Sequence, residues 1–226
     1  MPEDKKSSSI QQFSRLITEI YTYAEFCRQM EYPEPILQSP ARMSIEEIRS
    51  QVHQCQKCLL SKTRTQTVFG EGNLRAQLIF VGEAPGYEED QQGRPFVGRA
   101  GQLLTRIIAA MNLTREEVYI TNVVKCRPPQ NRNPLPDEIT ACEPYLHNQL
   151  EIIRPRVICA LGNFAAQNIL KTKNPISRLR GRSYNYRNIP VVPTFHPAAC
   201  LRFPRYKNMV WEDMKLVMEI LKNVSQ

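Results

Sequence analysis

The sequence predicts an α/β fold: a four-stranded parallel sheet flanked by helices on both faces, in a three-layer α/β/α arrangement. Four short apolar runs, at residues 77–81, 118–124, 157–161 and 191–195, have the length and composition of buried strands. Each is followed by a segment with apolar residues at helical spacing, and that alternation is the mark of parallel strands joined by helical crossovers. At 226 residues with 42% hydrophobic side chains, the chain suits one such domain with an N-terminal extension.

The elements follow in order. Residues 1–9 are polar and expected to be disordered. Residues 10–30 carry Ile10, Phe13, Leu16, Ile17, Ile20, Tyr23 and Ala24 at helical spacing, which predicts an amphipathic helix. Pro33, Pro35 and Pro40 mark a linker, so residues 1–43 form the extension and 44–226 the domain. Ser44 with Glu47 three residues on reads as a capping box opening a helix that runs into Cys55. After the first strand comes a helix over 101–111, with Leu103, Leu104, Ile107 and Ile108 on one face. After the second, a helix over 137–153 begins behind Pro136 and carries Cys142. Helices over 164–170 and 209–221 follow the third and fourth strands.

Charge divides the chain unequally. Residues 1–150 carry 17 Lys and Arg against 18 Asp and Glu, and residues 151–226 carry 13 against 4, so the net charge of +8 comes from the C-terminal third. Lys171, Lys173, Arg178, Arg180, Arg182, Arg187, Arg202, Arg205 and Lys207 supply most of it, interleaved with Tyr184, Tyr186, Phe203 and Tyr206. A basic surface with aromatic rings suits a polyanion such as DNA or RNA, though charge alone fits a solvated face equally well. No apolar run approaches the ~20 residues that span a bilayer, and no secretory leader is evident. A soluble, cytoplasmic protein is expected, with no membrane partner.

Seven cysteines are present, and four stand in a ligand-like pattern. Cys55 and Cys58 form C-x-x-C in a polar stretch, and Cys126 and Cys142 follow at long range. Four such sulfurs complete a shell around a metal or cluster, and the long gap ties an N-terminal segment onto the middle of a larger domain. Spacing does not choose between iron-sulfur and zinc. Persistent disulfides are rare in the cytosol, and Cys27, Cys159 and Cys200 read as small apolar core residues.

In an open parallel sheet, ligands bind beyond the carboxyl ends of the strands. Those ends read Gly82-Glu83-Ala84-Pro85-Gly86, Asn122 before Val123-Val124-Lys125-Cys126, Gly162-Asn163, and His196-Pro197-Ala198. Polar groups from separate strands thus converge on one edge.

These segments, with Gly93-Arg94-Pro95-Phe96-Val97-Gly98 and Cys126-Arg127-Pro128-Pro129, together resemble the family 4 uracil-DNA glycosylases, the prokaryotic iron-sulfur branch of that superfamily. The resemblance covers about residues 44–222; each motif is weak alone, and their order and spacing make the match specific. It implies a monomeric repair enzyme that flips uracil out of single- or double-stranded DNA and hydrolyses its N-glycosidic bond, starting base excision repair. It also implies a 4Fe-4S cluster on Cys55, Cys58, Cys126 and Cys142.

The chemistry asks for suitable groups. Base removal passes through a cationic sugar and an anionic leaving base, so it needs donors at the base oxygens, a site for water and an extruded nucleotide. The resemblance gives His196 the donor role at uracil O2. Asn122 offers one donor and one acceptor, the complement of uracil O4 and N3–H and the reverse of cytosine. Phe96 would stack on the base, with core packing as the competing reading. Glu89, in an acidic run with Glu88 and Asp90, would wall the pocket near uracil C5 against thymine's methyl group. Glu83 would hold the loop or help bind water. Asn131 matches a further position near the site. The backbone of Gly82, Ala84, Pro85 and Gly86 could hold phosphates, and Leu201 or Arg202 could fill the gap left by the flipped base.

Three rivals remain in view. A uracil-linking relative would need a histidine between residues 125 and 136, and none is there. A metal-stabilised nucleic-acid-binding module without catalysis would leave Asn122 and His196 without a task. A redox iron-sulfur carrier has no need of the basic surface.

Overall fold

The structure, a computed structural model, describes residues 3–29 and 43–223. It divides the chain into two units, Met1–Arg42 and Met43–Gln226. In the first, helix α1 (Glu3–Gln29) begins well before residue 10, so the polar start expected to be disordered is helical from Glu3. Its Leu16, Ile17 and Ile20 are exposed. The linker prolines Pro33, Pro35 and Pro40 lie outside the described residues.

The second unit opens with α2 (Ile45–His53), capped as its sequence predicts: Ser44 Oγ accepts from Glu47 N at 3.2 Å, and Glu47 Oε2 accepts from Ser44 N at 2.6 Å. Such a cap contributes ~1 kcal/mol. Burying Ile45, Ile48 and Val52 contributes about 1.5–3 kcal/mol each, so packing fixes this helix. Its partner is α5, introduced below, and that contact brings the C-x-x-C turn to Cys142.

Among the described residues six strands form one sheet: β1 (Glu71–Gly72), β2 (Leu78–Gly82), β3 (Tyr119–Asn122), β4 (Val157–Leu161), β5 (Tyr184–Tyr186) and β6 (Ile189–Thr194), in the order β1-β3-β2-β4-β6-β5. The inner four are parallel, as expected. The antiparallel edges β1 and β5 make the sheet mixed, a difference from the four-stranded expectation. Two and three residues are too few for an alternation to register, yet they cover the parallel sheet's open edges. Every residue of β2, β3 and β4 is buried.

Helices α3 (Tyr87–Gln92) and α4 (Arg99–Ala110) link β2 to β3, and α5 (Pro136–Ile153) links β3 to β4. Helices α6 (Asn163–Leu170) and α7 (Ile176–Leu179) precede β5, while α8 (Pro197–Arg202) and α9 (Tyr206–Asn223) follow β6. The chain moves from β2 to β3 in one direction and crosses back over β2 to β4, so right-handed crossovers put α4 and α5 on opposite faces. The reversal opens a crevice at the carboxyl ends of β2 and β4, flanked by β3 and β6.

The basic third is less open than its charge suggests. Arg180 turns inward: Nε and Nη2 reach Asp213 at 3.0 and 2.8 Å, and the guanidinium lies 5.7 Å from the Phe195 ring centroid. Lys171 pairs with Glu143 and Arg187 with Glu151. Arg178, Arg182, Arg202 and Lys207 remain exposed to solvent.

Candidate active site

A cleft of about 580 Å³ lies over the crevice, lined by Glu83 to Glu89, Phe96, Asn122, Asn131, His196 and Arg202 among others. Of the residues singled out from sequence, Gly82 and Leu201 are not on its wall. Gly82 lies beneath it. Leu201 packs against the core.

His196 caps α8 with its own ring. Nδ1 accepts from Ala198 N at 3.1 Å, so in the neutral imidazole the proton resides on Nε2. Burial lowers the histidine's pKa to about 4, with Arg202 adding to the shift and Glu89 opposing it. The ring is therefore a neutral donor at physiological pH.

Asn122 ends β3, directly beside Gly82 of β2 in the parallel register. The residue is 1% exposed, and among the described residues its Oδ1 has no hydrogen-bond partner. A buried acceptor without a partner costs about 1–3 kcal/mol, so this position awaits a donor. Gly82 makes room for it, since a Cβ there would stand 2.3 Å from Asn122 Oδ1 and 2.5 Å from Phe96 Cζ. From behind, buried Lys125 Nζ donates to Asn122 O, Thr121 Oγ1 and Gln149 Oε1 at 2.6, 2.7 and 2.6 Å, which occupies all three of its donors.

Phe96 is buried, and its ring centroid lies 5.5 Å from that of His196 with planes 31° apart. Its φ of 54° puts a bulky residue in the left-handed region. Glu89 fixes the loop that follows. Its Oε1 accepts from Val97 N and Gly98 N at 2.9 Å each, while Oε2 accepts from Gly86 N at 3.1 Å. Glu83 has no such partners, and burial pushes its pKa up to about 7. Asp90, last of the acidic run, is buried and accepts from Thr65 N. Asn131, at φ 55°, accepts from Arg127 Nε at 2.8 Å.

Behind β3, Cys55, Cys58, Cys126 and Cys142 line one small cavity with Arg64, Lys125 and Tyr145. Arg64 Nη1 donates to Cys126 Sγ at 3.1 Å and Lys125 N to Cys142 Sγ at 3.2 Å. Burial raises the Cys58 and Cys126 pKa values and pushes Cys142 to about 12; a bound metal would deprotonate these thiols. Among the described residues no three His, Cys, Asp or Glu side chains converge on one metal ion. Four sulfurs around one cavity, with N–H donors aimed at two of them, are residues that could hold a metal or cluster.

Sequence reasoning missed Arg99, Asn133 and Tyr87, which also line the cleft, and Arg64 beside the sulfurs. Adjacency to the motifs was the available signal for the first three. Arg64 had none.

Comparison with known proteins follows the same lines. A sequence model of the Uracil DNA glycosylase superfamily matches residues 69–215. A Type-4 uracil-DNA glycosylase of Sulfurisphaera tokodaii is 47% identical over 186 residues, covering 78% of this chain and 84% of that protein. One from Thermotoga maritima is 45% identical over 182 residues, covering 79% of this chain and 95% of that protein. A Type-5 uracil-DNA glycosylase of Pyrobaculum aerophilum is 32% identical over 144 residues, covering 56% of this chain and 63% of that protein.

Proposed function

The chain belongs to the Uracil DNA glycosylase superfamily, and from that premise we propose that its cleft extrudes uracil from DNA and hydrolyses the N-glycosidic bond. Uracil-containing DNA is the substrate, and the enzyme is a hydrolase of base excision repair. The stronger similarity to the Type-4 than to the Type-5 protein favours the family 4 mode of action.

The observation that carries the site assignment is the buried, unpartnered Oδ1 of Asn122. Uracil N3–H supplies the donor it lacks, and the Asn122 amide N–H₂ donates to O4. Cytosine would set an acceptor against Oδ1 and a donor against the amide N–H₂. The C1′–N1 bond breaks with its electron pair on the base. Neutral His196 then donates through Nε2–H to O2, where the charge spreads. Water adds to C1′ and gives its proton to the Glu83 carboxylate, whose raised pKa suits that task. Phe96 stacks on the base. Glu89, with both oxygens engaged by backbone N–H groups, walls the pocket near C5 and keeps the Gly86 and Phe96 loops in register. Asn131 and the Glu83–Gly86 backbone flank the nucleotide, and Arg202, on the cleft wall, is favoured over Leu201 to enter the vacated stack.

Cys55, Cys58, Cys126 and Cys142 would hold a 4Fe-4S cluster. Those residues would tie the turn after α2 to the segment after β3 and to α5 through the bound group. No histidine stands between residues 125 and 136, which speaks against covalent capture of the sugar. Monomeric action on single- or double-stranded DNA completes the reading. A single-turnover assay of uracil release from a uracil-containing oligonucleotide tests it: free uracil and an abasic strand are expected. Binding without release would overturn it.

A further inference from the structure

Phe96, at φ 54°, holds a conformation that a bulky side chain adopts only when its surroundings over-determine it. Two groups of opposite charge do so from opposite ends of the loop. Glu89 takes the N–H groups of Val97 and Gly98. On the other side, Arg115 Nη2 donates to Pro95 O at 2.8 Å and Nη1 to Phe96 O at 3.1 Å. The same guanidinium reaches Thr105 Oγ1 of α4 at 3.2 Å and Glu71 Oε1 of β1 at 2.5 Å. Glu71 in turn accepts from Arg94 Nε at 2.8 Å. Burial opposes its ionisation, but the hydrogen bonds from Arg94 and Arg115 outweigh that and hold its carboxyl below the usual range. The Phe96 carbonyl also needs a glycine at 101, where a Cβ would stand 1.9 Å from its oxygen.

We propose that Arg115, held by Glu71, is a positioning residue for uracil excision that acts through Phe96. It lies outside the cleft lining and touches no proposed reacting group. Its planar fork holds two successive carbonyls while also engaging Thr105 and Glu71, a fixed geometry that an ammonium on a flexible stem does not reproduce. The edge strand β1 thereby acquires a task, since it carries the carboxylate that keeps the fork in place. The proposal rests on the glycosylase reading, because Phe96 matters only if a base stacks on it.

The test is a double-mutant cycle on the full chain, read by single-turnover uracil release. Arg115→Ala is expected to lower the rate by about 10- to 100-fold, as small misplacements remote from the chemistry can, while DNA affinity changes less than about twofold. In a Phe96→Ala background the same substitution should have little further effect, because the two act as one unit. Arg115→Lys should recover only part of the rate. Equal losses in both backgrounds, or a wild-type rate in Arg115→Ala, would overturn the proposal. Should Arg115→Ala not fold, Glu71→Gln runs the same cycle with the same expected coupling. Amide exchange at Val97 and Gly98 separates this idea from its premise. Protection lost in Arg115→Ala supports the clamp even if the unmodified chain releases no uracil, an outcome that would refute the glycosylase reading alone; unchanged protection counts against the clamp.

Discussion

His196 Nδ1 accepts the amide proton of Ala198, two residues along the same turn. That contact decides the tautomer, because a neutral imidazole accepting at Nδ1 can only donate at Nε2. The histidine thus needs no positive charge to serve the leaving base.

Removing this donor should be expensive. His196→Ala is expected to slow single-turnover uracil release by roughly 100- to 1,000-fold while DNA binding is retained, the usual cost of one preorganised donor. With its pKa near 4, the ring stays neutral above that value, and no loss of rate assignable to His196 should appear between pH 5 and 8.

Glu83 predicts a pH dependence of opposite character. Burial raises its pKa to about 7, so it is mostly protonated below that value and ionised above. Excision should rise with pH through about 7, and Glu83→Gln should abolish that rise. A rate profile of the Gln variant parallel to that of the unmodified chain would exclude Glu83 as the base.

Gly82→Ala should separate folding from recognition. A methyl group there meets Asn122 Oδ1 at 2.3 Å and Phe96 Cζ at 2.5 Å, so the amide and the ring must both move. Uracil release and binding of free uracil should fall together, with the circular dichroism of the fold retained.

Cys→Ala at 55, 58, 126 or 142 should each cost iron and solubility, whereas Cys200→Ala, buried away from that cavity, should keep full iron content. Iron analysis with the visible spectrum of anaerobically purified protein decides this. Full retention in the Cys142 variant would remove it from the ligand set.

Arg178 and Arg182 should behave differently from Arg180 between them. Neutralising the exposed pair should weaken DNA binding and flatten its salt dependence. Arg180→Ala should instead destabilise the fold by about 3 kcal/mol, since it removes the cation from the fully buried Asp213 and leaves it only the Thr194 hydroxyl and the Gly181 N–H. Thermal denaturation and binding titrations distinguish the two effects.

The pattern of legibility has physical causes. The parallel strands β2, β3, β4 and β6 were readable because each is an apolar run between turn signals, and the convergence of Asn122 and His196 followed from strand polarity. The edges β1 and β5 are too short for a period. Charge composition could not tell an inward Arg180 from an outward Arg178, because that depends on where Asp213 of α9 comes to lie. Arg115 was invisible for a related reason: the groups it fixes at the Phe96 loop are backbone carbonyls, which leave no trace in residue identity.

The four-sulfur cavity also orders events during synthesis. Cys55 and Cys58 emerge early and Cys142 last, after most of α5's partners, so the shell does not exist until more than half the chain has left the ribosome. If the cavity takes the cluster proposed for it, a chain ending before residue 142 would lack one of the four sulfurs, and the helix that carries Cys142 would be the last piece of the shell to arrive.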